Sequence, residues 1–121
     1  MSKPLLQIAL DNSVLSDAIS SIRQVGDEVD IIEAGTILCL AEGMEAVRCL
    51  RAMYPNKIIL ADTKCADAGK TVAENCARAG ADWMTVICSA TIPTMVAAKK
   101  EVKDLQVELY GDWTYEHAKA W

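Results

Sequence analysis

The sequence predicts an α/β domain built on a parallel sheet, and three observations predict it. Short apolar, β-branched runs alternate with longer amphipathic stretches; the runs begin at a regular spacing; and no Gly/Ser-rich or low-complexity segment breaks the repeat. The runs are almost continuously apolar, which suits strands covered on both faces.

The first strand is Leu5–Leu10, with Asp11 directly after it. Val14, Ala18, Ile22 and Val25 then fall at helical spacing behind Ser13, a suitable N-cap, and Gly26 closes that helix. The second strand, Val29–Ile32, ends in Glu33. The next helix carries Met44, Val47, Leu50, Arg51 and Met53 and returns to the sheet at Pro55. The third strand, Lys57–Ala61, ends in Asp62. A third helix runs through Asn75–Ala79 to Gly80, and the fourth strand is Trp83–Cys88. Pro93 suits the first turn of a fourth helix. Leu105–Leu109 is the fifth strand, with Glu108 inside its end, and Thr114 is a plausible cap for a fifth helix. Gly35, Gly43, Gly69 and Gly111 read as turn formers.

Composition narrows the function classes. The chain has 121 residues, 52% hydrophobic and 24% charged, which fits one packed domain over 1–121 and not a disordered chain. Twelve basic against 17 acidic residues give a net charge of −5, a poor balance for gripping nucleic-acid phosphates. No apolar run approaches the roughly 20 residues of a spanning helix, and Gln7 and Asp11 interrupt any signal-peptide core. Cys39, Cys49, Cys65, Cys76 and Cys88 are odd in number and widely spaced, so free thiols in a reducing, cytoplasmic setting are expected. No P-loop or Gly-x-Gly-x-x-Gly occurs. The single histidine, His117, reads as a solvated helix residue; Trp83, Trp113 and Trp121 read as packing residues.

An alternating βα chain admits a doubly wound sheet or a barrel, and the acids favour the barrel. Asp11, Glu33, Asp62 and Glu108 all sit at or just past strand ends. A carboxylate is costly there unless it is paired or binds something. In a barrel all carboxyl ends open on one mouth, where these acids would offer oxygen ligands suited to magnesium. The alternative is that each acid merely caps a helix or faces water. Beside them, Asp62, Lys64 and Asp67 form an Asp-x-Lys-x-x-Asp pattern. If the strand continues that far, Asp62 and Lys64 share a face, and a lysine among carboxylates stays charged and can stabilise developing negative charge.

The segments LQIALD (Leu6–Asp11), VDIIEAGT (Val29–Thr36) and ADTKCADAG (Ala61–Gly69) resemble the orotidine 5'-phosphate decarboxylase superfamily. GADWMTV (Gly80–Val86) and VELYGDWT (Val107–Thr114) extend the resemblance along the whole chain. The similarity is to the superfamily's sugar-phosphate branch: decarboxylases of sugar-acid phosphates first, hexulose-phosphate synthases close behind. The run WTYE (Trp113–Glu116) leans toward the decarboxylases.

The resemblance implies the first half of a TIM (β/α)8 barrel with parallel strands: about five strands, four helices and the start of a fifth. It implies a cytoplasmic homodimer with active sites at the subunit interface. The implied reaction is magnesium-dependent decarboxylation of a sugar-acid phosphate through a cis-enediolate, in the breakdown of L-ascorbate-type sugars. The sister reading is an aldol-type joining of formaldehyde to a pentulose phosphate. Glu33 and Asp62 match magnesium ligands, Lys64 the lysine that stabilises the enediolate, and Asp67 an aspartate that reaches the partner's site. Asp11 and Glu108 match substrate-binding acids. Eight units make such a barrel, so 1–121 is expected to be a partial barrel domain that stops before the C-terminal strands. Phosphate-binding and proton-donating residues would lie beyond Trp121, and the chain alone would be inactive. A non-catalytic half-barrel, associating through its open strand edges, is the contrasting expectation.

Overall fold

A computed structural model of the chain describes residues 2–108. One five-stranded sheet contains β1 (Gln7–Leu10), β2 (Ile31–Ala34), β3 (Ile58–Cys65), β4 (Trp83–Ile87) and β5 (Asp104–Glu108). Every neighbouring pair is parallel, and spatial order equals chain order. A doubly wound sheet reverses its order at a switch point; this one never does, which is the arrangement of a barrel wall.

Five α-helices connect the strands: α1 (Leu15–Val25, followed by a 3-10 turn over Gly26–Glu28), α2 (Thr36–Glu42), α3 (Glu45–Met53), α4 (Gly69–Ala79) and α5 (Ile92–Lys99). Two local expectations change. Ser13 does not cap α1, whose N-cap position is Val14 with no side-chain bond. The cap that does form is at α5, where the Thr91 side chain accepts from Thr94 N, with Pro93 in the first turn. The helix α2 was not expected, because Thr36–Glu42 is apolar on several sides: Leu38 is buried while Ile37 and Leu40 face outward, so no amphipathic stripe marks it. The expected cap Thr114, and with it Gly111, Trp113, His117 and Trp121, lie outside the described residues.

The core is one-sided. Ile8, Leu10, Ile32, Ala34, Ile59, Ala61, Met84, Val86 and Leu105 pack with Ala18, Ile22, Leu38, Val47, Leu50, Ala73, Cys76 and Ala98 of the helices in one cluster. Strand side chains alternate between faces, so Gln7, Glu33, Asp62, Thr85, Gln106 and Glu108 fall on the other side of the sheet. That side is thus not wholly apolar, as the continuous runs suggested.

Two glycines let the helices close on the sheet. Gly80 ends α4 at φ 102°, with its N–H on Ala77 O and that of Ala81 on Cys76 O, the paired bonds of a Schellman turn. Gly69 brings α4 against α5: a Cβ there would lie 2.2 Å from the Thr94 carbonyl oxygen. Because that obstacle is backbone, Gly69→Ala is expected to destabilise the chain by about 1–3 kcal/mol. Thermal melting checks it; an unchanged midpoint would mean the two helices separate freely.

At the amino ends of the strands, Asp82 ties three elements together. Its carboxylate accepts from Ile59 N at 3.0 Å, Lys103 Nζ at 2.6 Å and the Arg51 guanidinium. Burial works against the charge, but these donors outweigh it and hold the carboxyl below its usual range. A depression of about 680 Å³ opens beside this group. Arg51 also donates to the Gly80, Pro55 and Lys57 carbonyls, and Lys57 Nζ donates to those of Asp27 and Val29. The cations of this end therefore hold the fold together. All five cysteines are free; Cys65, Cys76 and Cys88 are buried, while Cys39 and Cys49 are half-buried. Burial first, then nearby carboxylates, pushes Cys39 up to about 11; burial pushes Cys76 up to about 12. Neither is a ready nucleophile.

Candidate active site

The carboxyl ends of the strands gather the chemistry. Glu33 is the third residue of β2, Asp62 and Lys64 belong to β3, and Glu108 is the last residue of β5. One oxygen from each of Glu33, Asp62 and Glu108 lies within 4.8 Å of the other two, although β2 and β5 are not neighbours in the sheet. The sheet must curl to allow this, and a bond between its two outer strands shows that it does. Gln106 Nε2 donates to Gln7 Oε1 at 2.8 Å, while Gln7 Nε2 donates to Glu33 Oε2 at 2.8 Å.

Lys64 Nζ donates to Asp62 Oδ2 at 2.8 Å and to Glu108 Oε2 at 3.2 Å. The strand does continue that far, but not regularly. Ala61 pairs with Met84 and Cys65 with Val86, so the register shifts between Ala61 and Cys65, and Lys64 takes a left-handed φ of 46°. Non-glycine residues in that region are uncommon and concentrate at functional sites.

The charges follow from this packing. Burial raises the Glu33 carboxyl to about 7; Gln7 opposes the rise, and Asp62 and Glu108 add to it. Burial also disfavours the Asp62 charge, but bonds from Lys64 and Thr85 outweigh it and hold that carboxyl low. Glu108 is raised by burial and by Asp62, against the pull of Lys64. For Lys64, burial lowers, but the bonds to Asp62 and Glu108 prevail and keep the ammonium charged. Three acidic side chains, two of them bonded to one ammonium, form an oxygen-rich site that could hold a divalent cation.

Two expected site residues stand apart from this group. Asp11 is exposed in the loop after β1, with its carboxylate over Gly35, where a Cβ would come within 2.0 Å of Oδ1. Asp67 is exposed beyond β3, and its Oδ1 accepts from Ala68 N at 2.7 Å. Sequence reasoning missed Gln7, Gln106 and Thr85. The two glutamines did leave a signal, since a polar side chain inside an apolar strand needs a buried partner.

Parallel βα units in barrel order, with acids and a lysine gathered toward the strands' carboxyl ends, are the arrangement of the barrel class in which chemistry sits at that mouth. The chain belongs to the orotidine 5'-phosphate decarboxylase / HUMPS family, whose sequence profile matches residues 4–121. It is 54% identical over 125 aligned positions to a 3-keto-L-gulonate-6-phosphate decarboxylase, UlaD, of Escherichia coli, covering 100% of this chain and 58% of that protein. It matches the crystal structure of KGPDC from Streptococcus mutans at a TM-score of 0.92 and 58% identity, over 99% of this chain and 60% of that one. A 3-hexulose-6-phosphate synthase from Salmonella typhimurium is similar at a TM-score of 0.86 and 30% identity, over 97% of this chain and 59% of that one. The chain thus spans about three-fifths of the length of these relatives and corresponds to the first half of their barrel. Among the described residues, no helix is long and apolar enough to cross a membrane.

Proposed function

We propose that these residues form the metal-binding and charge-stabilising half of a decarboxylase acting on 3-keto-L-gulonate 6-phosphate, giving L-xylulose 5-phosphate. One observation carries the reading: Glu33, Asp62 and Glu108 meet within 4.8 Å, and the Lys64 ammonium is held against two of them. Glu33 and Asp62 are the proposed magnesium ligands, in line with hard oxygen donors. When bound, the ion supplies divalent charge against the negative charge left as carbon dioxide departs. Lys64 holds a second positive charge where the cis-enediolate oxygen develops, a contribution that matters only once that charge exists. Glu108, inside the cluster, and Asp11, exposed after β1, are the proposed substrate-binding acids. Asp67, exposed and outside the cluster, is proposed to complete the site of a second copy in a homodimer. Free thiols fit a cytoplasmic protein. Residues 1–121 make up a partial barrel domain in this reading, with phosphate binding left to later strands and the 121 residues alone expected to turn over no substrate.

Calorimetric titration of the chain with Mg2+ tests the metal site. Weak saturable binding is expected, lost in Glu33→Gln and in Asp62→Asn; equal binding in all three proteins would remove these residues as ligands. The similarity to 3-hexulose-6-phosphate synthase supports a second reading, aldol addition of formaldehyde to ribulose 5-phosphate through the same enediolate. Assaying both substrates in a protein joined to the C-terminal part of a family relative separates the two. If residues 1–121 are a non-catalytic half-barrel, that joined protein leaves both substrates unchanged.

A further inference from the structure

We propose that Thr85 is the positioning residue of this site, fixing the Asp62 carboxylate and the Lys64 main chain relative to each other through a single buried hydroxyl. The proposal rests on the reading of Asp62 and Lys64 as site residues. Thr85 is the central residue of β4 and is fully buried, with 0% of its surface exposed. Its Oγ1 accepts from Lys64 N at 2.8 Å and donates to Asp62 Oδ1 at 2.7 Å.

The direction of this relay follows from valence. An amide N–H can only donate, so the hydroxyl must accept there and give its one proton to the carboxylate. Chained bonds of this kind polarise and strengthen one another. The location is also where the ladder fails: β3 loses register against β4 between Ala61 and Cys65. In that interval the Lys64 N–H is satisfied by the Thr85 side chain while Lys64 adopts φ 46°. The Thr63 hydroxyl adds a second tie, donating to Thr85 O at 3.0 Å.

The hydroxyl therefore does two things. It fills Asp62 Oδ1 from beneath, leaving Oδ2 turned to Lys64 Nζ at 2.8 Å. It also supports the irregular backbone that brings that ammonium back over its own strand. Valine has nearly the same shape but no hydroxyl, so it would remove the acceptor from the half-buried Lys64 N–H and one of the donors that orient the Asp62 carboxylate. Groups that orient metal ligands from behind change metal affinity about 10–100-fold when removed.

The test compares the wild-type chain, Thr85→Val and Thr85→Ser by Mg2+ titration and by amide hydrogen exchange at Lys64. Thr85→Val should weaken Mg2+ binding about tenfold or more and accelerate exchange of the Lys64 amide, while Thr85→Ser restores both. A purely structural role would lower the melting temperature of Thr85→Val without changing Mg2+ affinity or the Lys64 amide, and that result would overturn the proposal. If wild type binds no Mg2+, the metal reading fails, while the exchange comparison still decides for or against Thr85. Should Thr85→Val not fold, the wild type decides alone: a slowly exchanging Thr85 hydroxyl proton close to a protected Lys64 amide supports the relay, and an unprotected Lys64 amide refutes it.

Discussion

Asp82→Ala is expected to cost the chain about 3–5 kcal/mol of folding stability, against total stabilities of roughly 5–15 kcal/mol for ordinary domains. The size follows from what is stranded. The Ile59 N–H, at 3.0 Å from Oδ2, would be left inside the protein without an acceptor. The Arg51 guanidinium would lose its only carboxylate among the described residues while still pinned by the Gly80, Pro55 and Lys57 carbonyls. Lys103 contributes less, because its side chain is 79% exposed. The sign of the pH dependence follows from the lowered carboxyl. Its contribution is present above the ordinary carboxylate range and is lost as pH falls through that range to the folded value. Urea unfolding of wild type and variant should therefore show a wide gap near neutrality that narrows under acid. A gap under about 1 kcal/mol at neutral pH would show that water replaces these bonds at little cost.

The two ends of the sheet were not equally legible in the sequence. Parallel βα order, the five strands and the acids Glu33, Asp62 and Glu108 at their ends could be read directly, because each is a local signal: an apolar run and the residue that stops it. The meeting of Glu33 with Glu108 is not local, since it depends on how far the sheet curls. The Gln7–Gln106 bond across the outer strands reports that curl, and those side chains look like mere interruptions in apolar runs. Thr85 was invisible for another reason: threonine is an ordinary strand former, so its hydroxyl gives no hint of buried work. The irregular end of β3 was likewise hidden, because the apolar run stops at Ala61 while the strand runs on to Cys65, and the left-handed turn at Lys64 has no glycine to announce it. Helix α2 lacked an apolar stripe and was missed on that account. Asp11 and Asp67 carry the opposite lesson. Their places in the motifs group them with the other acids, yet their side chains are exposed and outside the cluster.

Lys64→Ala, in a protein joined to the C-terminal part of a family decarboxylase, is expected to lower kcat by about 30- to 1000-fold with little change in KM, equivalent to roughly 2–4 kcal/mol of transition-state stabilisation. The split between the two constants follows from where the charge is held. Asp62 at 2.8 Å and Glu108 at 3.2 Å already neutralise the ammonium in the resting site, so a ground-state substrate gains little from it. In the proposed reaction, negative charge develops on a substrate oxygen as carbon dioxide leaves, and a preorganised cation would meet it without rearrangement. Lys64→Arg should not rescue, because a planar guanidinium would pair with Asp62 in fork geometry and shift the position of the charge. A loss confined to KM would instead make Lys64 a substrate-binding residue. Metal titration of the same variant gives an independent check. Lys64 competes with a cation for oxygens of Asp62 and Glu108, so Lys64→Ala should bind Mg2+ at least as tightly as wild type while turning over far more slowly. Weaker Mg2+ binding would mean that the ammonium organises the carboxylates, and that the lost rate came through the metal site and not from charge placed at the enediolate.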